Sequence, residues 1–240
     1  NQTLKQWANR EPRFYTNITF HGSTWLKTDT PRGEITTELT YNGNSGYANA
    51  NWDAPYTGYG MRKMASKEGR SGANRHCATL LRLADMYLGY AETLSACDQR
   101  NEAIKYVNKI RARAGIPGYG AVDNGFACIP YEDTRDGVDK RIHRERLVEL
   151  MFEWNHFFDV RRWKVADMAV GDDWIYPKYH RGGEGGPIHG MAFRSDAPEF
   201  FEKVVVETRT FLPKHYLFPI PDEDVRRNPK MVQNLGWTTE

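Results

Sequence analysis

The densest run of chemically capable side chains in this sequence lies between Arg141 and Trp163, RIHRERLVELMFEWNHFFDVRRW. Glu145, Glu149 and Glu153 are spaced by four, which places all three along one helix face. Such a row could serve acid–base chemistry or hold a metal. Glu153-x-x-His156 has the Glu-x-x-His spacing of di-iron carboxylate bundles, but that site needs a second Glu-x-x-His and two further glutamates on facing helices. The chain has no second copy. The alternative is a charged clamp. Arg141, Arg144, Arg146, Arg161 and Arg162 lie in the same stretch, and Arg82, Arg111 and Arg113 stand on preceding segments. Guanidinium forks suit bidentate pairing with partly buried carboxylates. The acids therefore read as scaffold, and no metal or other cofactor is expected.

Other catalytic patterns are weaker. Asp172 or Asp173 could oppose Glu184 across a glycosidase cleft, but nothing fixes their separation. No GxSxG motif is present. The Gly182–Pro187 run lacks the Lys-Ser/Thr that follows a phosphate loop. Cys77, Cys97 and Cys128 form no CxxC pair and read as buried apolar thiols.

Aromatic loops give a better lead. Trp52, Tyr56 and Tyr59 share one loop with Asn51 and Asp53; Trp174, Tyr176 and Tyr179 share another with Lys178. Flat rings with a polar rim suit sugars, whose C–H faces stack while their hydroxyls bond to the rim. The same rings could instead anchor long loops onto a helical body.

The elements that must carry these residues differ along the chain. Residues 1–79 are rich in Gly, Asn, Thr and aromatics. Arg13–Phe20 and Glu34–Tyr41 alternate enough to predict short strands, and Tyr47–Gly60 reads as an ordered loop. Residues 80–240 are helical in character. Leu80, Leu83, Ala84, Tyr87, Leu88, Ala91, Leu94 and Ser95 follow helical spacing. Asn101 would cap a second helix carrying Ala103, Ile104, Val107, Ile110 and Ala114, ended by Gly115 and Pro117. So short a link makes the two an antiparallel hairpin. A third helix is predicted from about Asp136–Asp139 to Trp154, with Leu147, Leu150, Met151 and Trp154 as its apolar stripe. A fourth should run from Phe157 to about Ala169, after a break at Asn155-His156. Leu212–Pro221 reads as extended, and Asp222 as the cap of a short terminal helix. The expected fold is mostly α: helical pairs with long irregular loops and a few short strands, as one continuous domain.

Composition narrows the function class. Lys+Arg 33 against Asp+Glu 31 leaves a formal net charge of +2, too balanced for a nucleic-acid binder. No run approaches the roughly 18 apolar residues of a membrane span.

Several segments resemble a known family. Leu81–Glu92 (LRLADMYLGYAE) is similar to its "LRyAEvyLmyAEA", and Tyr106–Gly115 (YVNKIRARAG) to its "iNkiRaRAG". Glu145–Glu153 followed by Phe158–Trp163 resembles "ERrvELafEg…fDlrRw". Pro219-Ile220-Pro221, Asn228-Pro229 and Gln233-Asn234 resemble its closing "PIP…NP…QNpgw", and Asn9–Arg13 its "nrDPR", with Glu11 replacing the usual Asp. On these motifs, in this order over about residues 9–237, the chain is identified as a member of the SusD/RagB family of Bacteroidetes cell-surface glycan-binding lipoproteins. The resemblance is to the C-terminal part, and it places a lipid-bearing N-terminal Cys and the first helical repeats upstream.

It implies a body of tetratricopeptide-like helical pairs and an outer-membrane location through that lipid anchor. It also implies an oligosaccharide or other nutrient ligand, a SusC-like TonB-dependent transporter as partner, and binding without catalysis. The matched motifs are scaffold motifs, so the aromatic candidates rest on their own chemistry. A helical-repeat protein–protein module and a glycoside hydrolase are the alternatives.

Overall fold

A computed structural model describes residues 5–26, 33–65, 79–120, 128–167 and 185–237. Trp174, Tyr176, Lys178 and Tyr179, together with Cys77, Asp172, Asp173 and Glu184, lie outside the described residues. The chain divides into two compact units: Asn1–His156 with His189–Val206, and Phe157–Ile188 with Glu207–Glu240.

The first unit begins with helix α1 (Pro12–Asn17) and strand β1 (Ile18–Thr19), where alternation predicts one strand from Arg13 to Phe20. Pro12 sits in the first turn, where its fixed φ and missing N–H suit a helix start. Strands β2 (Thr24–Leu26) and β3 (Glu34–Thr36) pair antiparallel, Trp25 opposite Ile35. The predicted strand Glu34–Tyr41 thus stops early. Helix α2 (Tyr47–Ala50) runs into a 3-10 turn at Asn51–Asp53, followed by β4 (Gly60–Met61), which pairs with β1.

Helices α3 (Leu83–Ala96) and α4 (Arg100–Arg113) form the expected hairpin, and α3 also packs on α5 (Arg135–Glu149). Asp98 takes a left-handed φ of 61°, the Asp98 N–H bonds Ser95 O, and the Gln99 N–H bonds Leu94 O. This doubly bonded cap turns the chain in three residues, with Asp in the place usually given to glycine. Gly115 (φ 71°) ends α4 the same way. Helix α4 starts at Arg100 with Gln99 as N-cap and no side-chain cap, so Asn101 lies inside the first turn. Thr134 caps α5, its hydroxyl accepting from Gly137 N at 3.0 Å.

The buried stripes differ from the predicted ones in an informative way. On α3, Ala84, Leu88, Ala91, Leu94 and Ser95 are buried, whereas Leu80 and Leu83 face solvent. On α5 the buried positions are Gly137, Val138, Ile142, Glu145, Arg146 and Glu149, with Leu150 just beyond. Three of these are ionisable, and the predicted stripe residue Trp154 is 82% exposed. Helix α5 ends at Glu149; Phe152 and Trp154 then adopt left-handed φ near 65° before α6 (Asn155–Arg162). The break therefore falls at 150–154, ahead of the predicted Asn155-His156.

A second core joins Trp7, Phe20, Leu39, Met191 and Phe200, with Phe14, Tyr59 and Phe201 packed against it. It ties the N-terminal loops to strand β5 (Gly186–Met191), which pairs with β6 (Lys203–Arg209). In the second unit a 3-10 turn at Pro213–Tyr216 interrupts the segment predicted as extended. Helix α7 (Asp222–Arg227) follows, with Pro221 at its cap position. Among the described residues no helix is long and apolar enough to cross a membrane. The fold is mostly helical with a few short strands.

Candidate ligand-binding site

Two constellations compete for function, and their geometry separates them. The first is the glutamate row on α5. Glu145 is 1% exposed: Oε1 accepts from Arg13 Nη1 at 2.6 Å and Oε2 from Arg111 Nη1 at 2.8 Å. Glu149 accepts from Arg82 (2.6 Å) and Arg113 (2.5 Å) at Oε1 and from Arg13 (3.0 Å) at Oε2. Arg82 grips Glu153 through Nε and Nη2 at 2.7 and 2.8 Å, and Lys63 pairs with Glu153 as well.

Lys63 Nζ also donates to the carbonyls of Glu149 (2.6 Å) and Met151 (3.2 Å), and Arg82 Nη2 to that of Glu149 (2.8 Å). Two cations thus cover the carbonyl end of α5, where a helix leaves its acceptors unsatisfied.

Burial alone would raise the Glu149 carboxyl pKa. The bonds from Arg82 and Arg13, with the charges of Arg82 and Arg113, outweigh it and hold the group below its usual range. Glu153 is lowered in the same way, against burial, by Arg82 and Lys63. For Arg13 the opposing burial is overcome by Glu11 and Glu145, and its pKa rises. Glu149 and Glu153 are thereby held toward the ionised form. Both oxygens of Glu145, Glu149 and Glu153 are occupied by cationic donors. Of the partners read from the sequence, Arg82, Arg111 and Arg113 hold these glutamates, whereas Arg146 pairs with Asp85 and Glu92 and Arg162 with Asp159. Arg13 and Lys63 were not foreseen, and Arg141 stands over the Tyr119 ring at 5.4 Å.

The second constellation is aromatic. Trp52 is 86% exposed and Tyr56 47% exposed, beside Asp53, which is also exposed. Asn51 opens the 3-10 turn that carries Trp52. Tyr59 turns the other way: it packs on the second core, and its hydroxyl accepts from Trp7 Nε1 at 3.2 Å. Tyr56 meets Phe193 edge to face at 5.0 Å, Phe193 meets Tyr47 at 5.5 Å, and Tyr47 stacks near Tyr41 at 6.3 Å. The Arg194 guanidinium lies over Tyr47 and Phe193 at 5.2 and 5.3 Å.

Local bonding fixes this platform. Tyr41 N–H donates to Ser195 O at 3.0 Å and Asn42 N–H to Asp196 Oδ1 at 3.0 Å, while the Asn42 amide also bonds Asp196 Oδ2. Asn49 Nδ2 donates to the carbonyls of Asn42 and Gly43. A Cβ at Gly46 would fall 1.7 Å from Thr40 O, so the turn between Tyr41 and Tyr47 closes only around glycine. Met191 N–H donates to Thr57 O at 3.0 Å, joining the Tyr56 turn to the end of β5.

Of the candidates read from sequence, the structure joins Tyr56 to a larger ring cluster and leaves Trp52 open in the adjoining 3-10 turn. It directs Tyr59 inward. Tyr41, Tyr47, Phe193 and Arg194 were missed. Tyr41 and Tyr47 lie in the same Asn/Gly-rich stretch as Trp52, and that composition was the available signal. Phe193 and Arg194 are too distant in sequence for spacing to connect them. Among the described residues no cluster of three His, Cys, Asp or Glu could hold a metal ion.

The model of the SusD family matches residues 1–237. A SusD-like protein P2 from Formosa agariphila is 24% identical over 177 residues, covering 73% of this chain and 28% of that protein. The crystal structure of a SusD-like protein from Bacteroides fragilis is 28% identical with a TM-score of 0.73, over 96% of this chain and 40% of that one. A SusD-like carbohydrate binding protein from the same species, 20% identical, shares the fold at a TM-score of 0.58, over 92% and 41% of the two chains. The chain thus spans well under half the length of the relatives it matches. With a family match across nearly its full length and the helical framework to go with it, the chain belongs to the SusD family.

Proposed function

We propose that this chain supplies part of the glycan-contacting surface of a non-catalytic outer-membrane binding protein, which captures oligosaccharides for import through a SusC-like TonB-dependent transporter. The observation that carries the reading is the exposed aromatic surface of Trp52 and Tyr56, the latter backed by Tyr47 and Phe193. Pyranose C–H faces stack on such rings, and the polar groups at their edge receive hydroxyl hydrogen bonds. Family membership supports it, as does a fold shared with a carbohydrate binding protein of Bacteroides fragilis. Asn51 and Asp53 are polar partners in this reading. Trp174, Tyr176, Lys178 and Tyr179 are a second candidate group of the same chemistry in this reading.

Absence of catalysis is favoured by the state of the α5 glutamates, whose oxygens are held by Arg13, Arg82, Arg111, Arg113 and Lys63. Titrating the chain with a panel of oligosaccharides, while following product release by chromatography, tests both parts. The expected result is saturable binding with no shortening of the ligand. Trp52→Ala should weaken that binding about tenfold, the equivalent of ~1.4 kcal/mol. Trp174→Ala tests the second loop, and unchanged affinity would remove that ring from the site. Product release that vanishes on replacing Asp172, Asp173 or Glu184 would establish the hydrolase reading instead.

A further inference from the structure

Arg194 differs from the arginines of the charged clamp in what its guanidinium meets. Arg13, Arg82 and Arg111 have their N–H groups occupied by carboxylates and carbonyls. Arg194 is exposed and stacked on two rings, and among the described residues it makes no ion pair and no hydrogen bond. Its nearest acid in sequence, Asp196, has both oxygens engaged by Asn42. The five guanidinium donors are therefore left without a hydrogen-bond or ion-pair partner among the described residues, at the edge of the aromatic platform.

Stacking on Tyr47 and Phe193 restricts the side chain before any ligand arrives, so little rotamer freedom remains to be lost on binding. A planar fork held in this way matches the two oxygens of a carboxylate or sulfate. We propose that Arg194 makes this surface select anionic sugars, uronates or sulfated sugars, over neutral ones. The inference rests on the glycan-binding reading above and names its substrate class. The rings would hold the pyranose faces while Arg194 takes the charged substituent as a bidentate partner.

Matched ligands that differ only in charge provide the test. Oligogalacturonate would be compared with its methyl ester, and a chondroitin sulfate tetrasaccharide with its desulfated form. The expected result is that at least one acidic member binds about tenfold more tightly than its neutral match. That ratio should fall toward one in Arg194→Gln and survive partly in Arg194→Lys. It should shrink as salt rises from about 50 mM to about 500 mM, because an exposed charge pair is screened. Lys105→Gln, an exposed charge change on α4, should leave the ratio intact, and an unchanged melting temperature shows that Arg194→Gln is folded. The uronate and sulfate arms report which anion is preferred.

Equal affinity for charged and neutral members, or a preference that persists in Arg194→Gln, overturns the proposal while the aromatic site stands. If no member of either pair binds and the wider panel gives nothing that depends on Trp52, the glycan reading fails and this inference fails with it.

Discussion

Glu149→Ala is expected to destabilise the first unit by about 3–5 kcal/mol, the cost typical of removing one partner from a buried ion-pair cluster. The carboxylate is 2% exposed and bonded by Arg13, Arg82 and Arg113. Its loss would leave Arg13, with a side chain 7% exposed, facing only Glu11 and Glu145. Arg82 would keep Glu153 and a backbone carbonyl. Glu149→Gln should cost less, because the amide keeps one acceptor. Arg113→Ala should cost least, since that side chain is 59% exposed and exposed partners contribute little. Urea denaturation of the three variants checks this order. A Glu149→Ala protein as stable as the parent would mean that the cluster adds nothing to the fold.

The same carboxylates give a pH signature. Glu149 and Glu153 ionise more readily when folded than at their ordinary value of 4.5. The stability they contribute is therefore complete above the unfolded value and declines as pH falls through the lower folded values. The urea midpoint should drop between about pH 5 and pH 2, and less steeply in Glu149→Ala.

Phe200→Ala is the second large effect, about 3–5 kcal/mol for a fully buried phenylalanine. Phe200 packs with Trp7, Phe20, Leu39 and Met191 and contacts the rings of His21 and Phe201. Its backbone also closes the loop that presents Phe193 and Arg194: Phe200 N–H donates to Asp196 O at 2.9 Å, and Ala192 N–H donates to Phe200 O at 3.1 Å. Truncation should therefore loosen the Asp196–Asn42 clasp and weaken ligand binding through a residue buried beneath the platform. Phe200→Leu, closer in volume, should cost less than half as much and keep binding near the parent level. Melting temperature and ligand affinity measured on both variants check the coupling. Full affinity in a clearly destabilised Phe200→Ala would show that the platform stands without this core.

The helical pair from Leu83 to Arg113 was legible because apolar spacing, the short Asp98–Arg100 link and Gly115 all agree. The clamp was legible as chemistry: an excess of arginine beside spaced glutamates has few other uses in a scaffold. What failed was the assumption that a buried stripe must be apolar. Glu145 and Glu149 occupy inward positions of α5 because Arg13, Arg82, Arg111 and Arg113 converge on them from three other segments. Trp154 is thereby left outside. Arg13 misled for the same reason: alternation around it suggested a strand, whereas Pro12 starts a helix and the side chain turns inward to the clamp. The site was half legible. Trp52 and Tyr56 stand out as aromatics among Asn, Gly and Pro, but Tyr59 has the same appearance and packs inward. Phe193 and Arg194 reach the platform through the pairing of Asn42 with Asp196, which no local pattern encodes.

In the proposed function the rings of Trp52 and Tyr56 bind the ligand while the charged clamp only holds the scaffold. The most direct measurement is isothermal titration of the chain and its Trp52→Ala/Tyr56→Ala variant with the tightest oligosaccharide of the panel, alongside their melting temperatures. Both rings are substantially exposed, so a melting temperature within a few degrees of the parent is expected, with an affinity lower by about a hundredfold, ~2.8 kcal/mol. Unchanged affinity in a folded double variant would contradict it.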